Sequence, residues 1–160
     1  MVRQVGTYEE KAKYIINHNT YMVVATCGKD LKPWVAPVAY AHDSEYNFYF
    51  ISAIDSRHAK HIEENPNSAL AIFSSEEPIG ETDGVQIEVK ITQLKKGDLN
   101  RAIELYCKRL FPQSKGDAAK LYKPEQYIEP SEFRFFKAEV VKMYVTGEDR
   151  RVAVDFKSSD

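Results

Sequence analysis

The sequence predicts a mainly β protein, a small β-barrel of about six to seven antiparallel strands with peripheral helices. First, strand-like runs follow one another with short turns between them, which favours antiparallel neighbours. Second, residues 85–94 alternate apolar and polar side chains, which is typical of a strand with one buried face. Third, these consecutive strands are accompanied by only about three helices, so a barrel is favoured over a doubly wound sheet.

Strand composition recurs along the whole chain. Runs rich in aromatic and β-branched residues, bounded by turn residues, are typical of strands. The predicted strands are residues 21–26, 34–40, 48–51, 68–73, 85–94, one or two between 133 and 146 with a break around Lys137–Ala138, and a last one at 152–154. Residues 42–45 are predicted to turn the second strand back into the third, which makes the first three strands a meander.

Helix signals stand between these strands. The predicted helices cover about residues 8–18, 56–64 and 98–111, with a further short one within 113–121. Thr7 and Glu10 have the spacing of a capping box, and Asp98 is predicted to cap the third long helix. Pro66 ends the second helix, because proline disfavours helical geometry in the residue before it.

Length and composition limit the classes of function. A chain of 160 residues with 43% apolar composition fits one domain, residues 1–160, with one core. The net charge is −2 without a large basic field, so no nucleic-acid partner is expected. Apolar runs are too short to span a membrane, and residues 1–6 lack the apolar core of a signal peptide. Cys27 and Cys107 are far apart in the sequence and have no spacing typical of a metal or redox site. We therefore expect a cytoplasmic protein.

The start of the second helix carries the strongest chemical signal. The first N–H groups of a helix have no partner within the helix and carry partial positive charge, which suits an oxyanion. Here they coincide with the hydroxyl of Ser56, the guanidinium of Arg57 and the imidazole of His58. Together these groups make a candidate phosphate site. The alternative is that Asp55 or Ser56 only caps the helix while Arg57 points into water.

This segment resembles part of a known family. Ser56-Arg57-His58-Ala59, followed by Ile62 to Pro66, looks like the phosphate-binding segment of the pyridoxamine 5′-phosphate oxidase-like family, the FMN-binding split β-barrels. Further pieces at residues 34–38, 84–86 and 106–112 resemble the family in the same order. The chain looks closer to the short, general-stress-type members of the family than to the oxidase itself.

The resemblance implies which residues hold the cofactor. The family binds the FMN phosphate at the place of Ser56, Arg57 and His58, with lysine at the third position. It implies that Ser52 adds a hydroxyl near the phosphate or ribityl chain, and that Gln86 reaches the pyrimidine end of the flavin. The backbone of one strand lies along the flavin ring in the family, and its counterpart here is Trp34, Val35, Ala36, Pro37 and Val38.

The resemblance also implies an assembly and a type of chemistry. The family's cofactor sites lie at a two-fold dimer interface, so a homodimer is expected. FMN would carry the redox chemistry while the protein supplies placement and electrostatics, so no catalytic acid, base or nucleophile is expected. Because His58 replaces a permanent cation, phosphate binding should weaken as pH rises.

Several of these residues also have ordinary structural explanations. Pro37 has no amide donor, which is typical of an edge strand, and Trp34 fits a core position. Ser52 fits a turn hydroxyl, and Gln86 fits a solvated side chain on the face of its strand opposite the core.

Other site chemistries are not supported. His58 and His61 are three residues apart on a helix, but zinc normally has three or four protein ligands and no third one has matching spacing, so no metal is expected. Asp55, Ser56 and His58 are neighbours on one turn and do not form a catalytic triad, and there is no G-x-S-x-G, G-x-G-x-x-G or Walker A motif.

The sequence therefore predicts an FMN-binding protein, a flavin-dependent oxidoreductase acting on an unassigned small molecule. Pyridoxamine 5′-phosphate oxidase activity itself is not expected, because His58 replaces the lysine and residues 147–160 hold no counterpart of that enzyme's Arg-x-His motif. The alternatives are a non-catalytic module that binds or senses flavin, haem or deazaflavin, and a domain that only dimerises.

Overall fold

The computed structural model describes residues 6–78, 83–147 and 150–155. Their α-helices are α1 (Tyr8–His18), α2 (Arg57–Glu64), α3 (Leu99–Leu110) and α4 (Asp117–Leu121). Their strands are β1 (Tyr21–Cys27), β2 (Pro33–Ala39), β3 (Ala41–His42), β4 (Phe48–Ala53), β5 (Asn67–Phe73), β6 (Gly84–Gln93), β7 (Phe133–Thr146) and β8 (Arg151–Val154). Short 3-10 helices cover Lys96–Asp98, Pro112–Ser114 and Pro124–Tyr127. None of the described helices is long and apolar enough to cross a membrane.

The strands form one antiparallel sheet that curls into a barrel. Its order is β2-β1-β5-β6-β7-β4-β3, and β8 adds to the far half of β7. β2 and β3 stand at opposite ends of this order, although Tyr40 alone separates them along the chain. The two ends of the sheet are therefore joined covalently, which confirms the antiparallel barrel that the sequence predicts.

Buried side chains form a core inside the barrel and a second cluster outside it. β6 alternates buried and exposed residues, as predicted, and Phe50 stacks on Phe136 inside with ring centroids 5.3 Å apart. Outside, α3 and the Pro124–Tyr127 turn cover β4 and β7. There Tyr127 meets Phe135 edge to face at 4.7 Å, an arrangement that aromatic pairs favour.

Arg109 fastens α3 to the junction between β2 and β3. Its Nε donates to the carbonyl of Tyr40 (3.1 Å), and its Nη2 donates to the carbonyls of Ile16 and Asn19. The guanidinium also lies over the Tyr40 ring, 4.7 Å from its centroid. One cation therefore satisfies three backbone carbonyls, from the end of α1, the α1–β1 turn and the strand junction.

The second predicted strand continues further than expected. Residues 42–45 do not simply turn the chain, because the chain passes through Tyr40 into β3, which pairs with β4. The turn follows at Asp43, whose carboxylate accepts hydrogen bonds from the N–H groups of Glu45 and Asn47. The meander is therefore confirmed, with one difference. Its second strand is divided into β2, which pairs with β1, and β3, which pairs with β4.

The predicted break around Lys137–Ala138 is wrong. β7 is continuous there, because the fully buried Ala138 pairs with Phe48 on one side and Ile91 on the other. The irregularity lies further on, where Val141 is an extra residue opposite the Glu88–Val89 step.

The other predicted elements are confirmed with small shifts of their ends. The capping box of Thr7 and Glu10 is present. Asp98, by contrast, makes no capping hydrogen bond with its side chain, since a 3-10 turn leads into α3. The expectations about residues 1–5 and the end of the tail, residues 156–160, concern parts outside the described residues.

Arg109→Met tests the junction. We expect the free energy of unfolding to fall by about 3 kcal/mol, because the change leaves three carbonyls without their charged donor. Arg101→Met is the matched control on the same helix: its side chain is mostly exposed and lies 4.0 Å from Asp43, so we expect a loss below about 0.5 kcal/mol. Urea unfolding measures both, and equal losses would contradict a special role for Arg109.

Candidate functional site

The candidate site begins where β4 passes into α2. Ser56 is the N-cap of α2, and its hydroxyl oxygen accepts from the N–H of Ala59 (3.3 Å). The same hydroxyl donates to the carbonyl of Ala53 (2.7 Å). The capping role that the sequence left open is therefore present, and both hydrogen bonds fix the orientation of the Ser56 side chain.

Two hydroxyls and an imidazole meet beside this cap. Ser52 Oγ lies 2.6 Å from His58 Nε2 and 3.2 Å from Ser56 Oγ. Ser56 Oγ is 3.4 Å from the same imidazole nitrogen. If Nε2 carries the proton it donates to Ser52, whose own hydroxyl hydrogen can then be offered to an external acceptor. The tautomer of His58 thus decides whether Ser52 acts as a donor.

Burial changes the expected role of His58. The side chain is 8% exposed, and burial lowers its pKa below the ordinary 6.5, with the neighbouring charge of His61 as a smaller cause in the same direction. His58 is therefore neutral at pH 7. The predicted loss of charge as pH rises through neutrality is displaced to lower pH.

Arg57 projects from the same helix end toward β2. Its guanidinium carbon lies 4.8 Å from the centroid of the Trp34 ring, a cation–π contact, so Arg57 does not simply point into water. The first turn of α2 has no acidic residue. Hydrogen bonds found among the described residues use the N–H groups of Ala59 and Lys60, so the amides of Arg57 and His58 are available to an anion.

Polar contacts dock α2 on the end of β1. His61 Nδ1 lies 3.1 Å from Thr26 Oγ1, and Glu64 accepts from the N–H of Lys29 (2.8 Å). Gly28 permits this approach, because a Cβ there would lie 2.7 Å from Glu64 Oε2. Sequence reasoning missed these supporting residues. The glycine beside a strand end was their only signal.

The β2 residues divide between the two faces of the sheet. Trp34, Ala36 and Val38 pair with Thr26, Val24 and Met22, which are buried on the inner side. Val35 and Pro37 therefore face outward. β2 has β1 as its neighbour on one side, so the predicted edge at Pro37 is confirmed.

Gln86 is not part of the cluster around α2. It lies on the outer face of β6, as the alternation predicts, and pairs with Ala71 and Tyr144. Through Ala71 and Val23 it is three strand spacings, about 14 Å, from Pro37 on the same outer face. Within one chain the structure brings together Ser52, Ser56, Arg57, His58 and Trp34, and it leaves Gln86 apart from them.

Part of the outer face of the sheet carries exposed apolar side chains, beside the polar residues Glu88 and Lys90 of β6. Val35 is 59% exposed, Phe73 49% and Val141 60%, and Pro37 and Ala69 are exposed beside them. We call these five residues the outer apolar face. Exposed apolar side chains grouped on one face are a candidate binding or assembly surface.

The two histidines of α2 use ring nitrogens in contacts with hydroxyls. His58 contacts Ser52 and His61 contacts Thr26. Within residues 6–78, 83–147 and 150–155, no three His, Cys, Asp or Glu side chains are close enough to hold a metal ion.

Comparisons with known proteins agree with this architecture. The family model described as "Pyridoxamine 5'-phosphate oxidase" matches residues 8–147. The chain is 37% identical over 94 residues to a pyridoxine/pyridoxamine 5′-phosphate oxidase of Ehrlichia ruminantium, which covers 59% of this chain and 46% of that protein. The chain thus spans less than half the length of this relative.

Solved structures share the fold at low identity. A heme binding protein from Mycobacterium smegmatis superposes with a TM-score of 0.74 at 18% identity, covering 94% of this chain and 59% of the other. General Stress Protein 26 from Bacillus anthracis superposes with a TM-score of 0.60 at 16% identity, covering 91% and 98%. At these identities the similarity concerns the fold.

The buried His58 predicts how stability depends on pH. Its pKa is lower in the folded chain than in the unfolded chain, so below about pH 6.5 the unfolded chain binds more protons and stability falls. We expect His58→Gln to lose less stability than the parent between pH 7.5 and about pH 5.5, because glutamine does not titrate. Urea unfolding at each pH measures this, and parallel losses in the two proteins would contradict it.

Proposed function

Because the chain belongs to the pyridoxamine 5′-phosphate oxidase family and presents an anion-binding cluster at the start of α2, we propose that it binds FMN and acts as a flavin-dependent oxidoreductase on a small molecule. The observation that carries the proposal is the meeting of Arg57, two available amides and the Ser52 hydroxyl at one helix end. The substrate of the curated relative is not part of the proposal, since the chain spans less than half of that protein.

The cluster fits a phosphate group. The amides of Arg57 and His58 offer two N–H donors at the positive end of the α2 dipole, and no acid in the first turn opposes an anion. The Arg57 guanidinium adds a permanent charge and paired donors. Ser52 donates its hydroxyl hydrogen when His58 Nε2 is protonated, so neutral His58 acts by orienting Ser52.

The proposed flavin position follows β2. Arg57 lies against Trp34, so a phosphate at α2 would begin beside the N-terminal end of that strand. The backbone from Trp34 to Val38 would then run along the ring, with Pro37 contributing apolar contact and no N–H. Bound FMN would supply the electron transfer, while the chain holds the phosphate and covers the ring.

A homodimer would complete the site. The outer apolar face is left exposed in one chain, and pairing it with a second copy would bury it. Gln86 lies on the same side of the sheet, apart from the Arg57 cluster of its own chain. We therefore propose that Gln86 acts on the flavin bound mainly by the other subunit.

The phosphate contact can be tested with two flavins. We expect the parent to bind FMN at least about tenfold more tightly than riboflavin, which lacks the phosphate, and Arg57→Ala to remove most of this difference. Lys108→Ala, an exposed cation on α3, is the control and should bind FMN like the parent. Fluorescence titration measures all five affinities: both flavins with the parent and with Arg57→Ala, and FMN with Lys108→Ala. Unchanged FMN binding by Arg57→Ala would contradict the proposed phosphate site.

The absorption spectrum separates FMN from the alternative cofactors. Yellow flavin bands in the purified protein support the proposal. A Soret band would instead favour the hypothesis of haem binding, and a heme binding protein from Mycobacterium smegmatis shares this fold. A deazaflavin spectrum would favour a binding or sensing module. Reduction of bound flavin by NADH or NADPH would then distinguish an oxidoreductase from a passive binder.

The dimer can be tested on its proposed surface. Val35→Glu places a charge on the outer apolar face, and we expect a shift from dimer to monomer together with weaker FMN binding, because burying an unpaired carboxylate is costly. Leu121→Glu, on exposed α4 away from that face, is the matched control and should remain dimeric. Light scattering after size-exclusion chromatography measures the mass. A dimeric Val35→Glu variant would contradict this interface.

A further inference from the structure

A cavity lies on the side of α2 away from the Arg57 cluster. It has a volume of about 590 Å³ and opens between α2 and the ends of β6 and β7. Ala59 and Glu63 line it. They lie about 200° around the helix from Arg57 and His61 respectively, since each pair is two residues apart. The cavity is therefore separate from the Arg57 cluster, although both flank the same helix.

A buried cation lines this cavity. Arg134 is 7% exposed, and its Nη1 donates to the carbonyls of Phe133 (2.8 Å) and Ser131. Among the described residues, no hydrogen bond is found for its Nε or Nη2, and no carboxylate lies within 4 Å. A guanidinium that keeps one edge unengaged offers two parallel N–H donors, which match a carboxylate.

The surroundings of Arg134 favour an anion with an apolar body. Ile62, Ile91 and Phe136 supply apolar wall, and Lys60 adds a second cation at the rim. Glu63 also lies at the rim, so the two cations exceed the acid by one charge. A buried cation without a carboxylate partner is costly, and an anion in the cavity would offset that cost.

We propose that this cavity binds a small organic carboxylate, with the carboxylate on Arg134 and the apolar body against Ile62, Ile91 and Phe136. The volume suits such a ligand. Arg134 is the direct cross-strand partner of Ser52, so the bound carboxylate would lie one strand away from the hydroxyl cluster. The site does not depend on FMN binding.

Benzoate and benzamide form the test pair, because they share a shape and differ in charge. Titration of the purified full chain, followed by NMR of backbone amides and arginine Nε–H groups, should show benzoate binding at least about tenfold more tightly than benzamide. The shifts should concentrate at Arg134, Ile91 and Gln93. Arg57→Ala should bind benzoate like the parent.

The second test changes a surface residue and leaves Arg134 in place. Arg134 donates to two backbone carbonyls, so replacing it would also affect folding. Lys60→Glu should weaken benzoate binding by roughly threefold or more, because it reverses a charge at the rim. Lys108→Glu, another exposed helical lysine, should leave binding unchanged. Equal binding of the two probes, no binding to the folded parent, or shifts centred on Trp34 and Arg57 would each overturn the proposal.

Discussion

The barrel depends on one buried residue at which a strand changes partners. Tyr40 leaves the ladder with β1 and continues into the ladder with β4, so its backbone groups need partners outside regular pairing. Its N–H donates to Thr20, its carbonyl accepts from Arg109, and its hydroxyl donates to Ile16 (2.6 Å). Burial raises the pKa of Tyr40 to about 12, so the hydroxyl stays a donor at any ordinary pH. The N–H, carbonyl and hydroxyl groups of Tyr40 therefore all have hydrogen-bond partners. The residue joins the two ends of the sheet.

Closure at this junction is also what assembles the candidate site. Because β2 and β4 become neighbours across the divided strand, the beginning of β2 and the end of β4 lie at the same end of the barrel. Trp34 comes from the first and Ser52 from the second. α2 then crosses that end, docked through His61 and Glu64, and places Arg57 over Trp34. The groups of the candidate site thus come from three elements that the curled sheet brings together.

Local sequence patterns predicted most of the helices and strands and the helix start at the centre of the candidate site. Alternation in β6 and the proline after α2 predicted elements that the structure contains, because such patterns depend on nearby residues. The course of the second strand was not predictable, since it depends on Arg109, distant in sequence. In the site, Ser56 and Arg57 were found from the helix start. The contact of His58 with Ser52, which makes the imidazole a buried neutral group, depends on tertiary packing that no local pattern encodes.

The long strand β7 has a consequence for how the chain reaches its fold. β7 pairs with β6 along most of its length, with β4 over its first half and with β8 near its end. The ladder between Phe48 and Ala138 joins residues 90 positions apart. During synthesis, the edge of β4 that pairs with β7 therefore stays unpaired until residues 133–138 have left the ribosome. Pairing between strands so far apart in sequence raises the contact order, which favours slow folding, and an unpaired strand edge is a template for wrong pairing until the ladder forms.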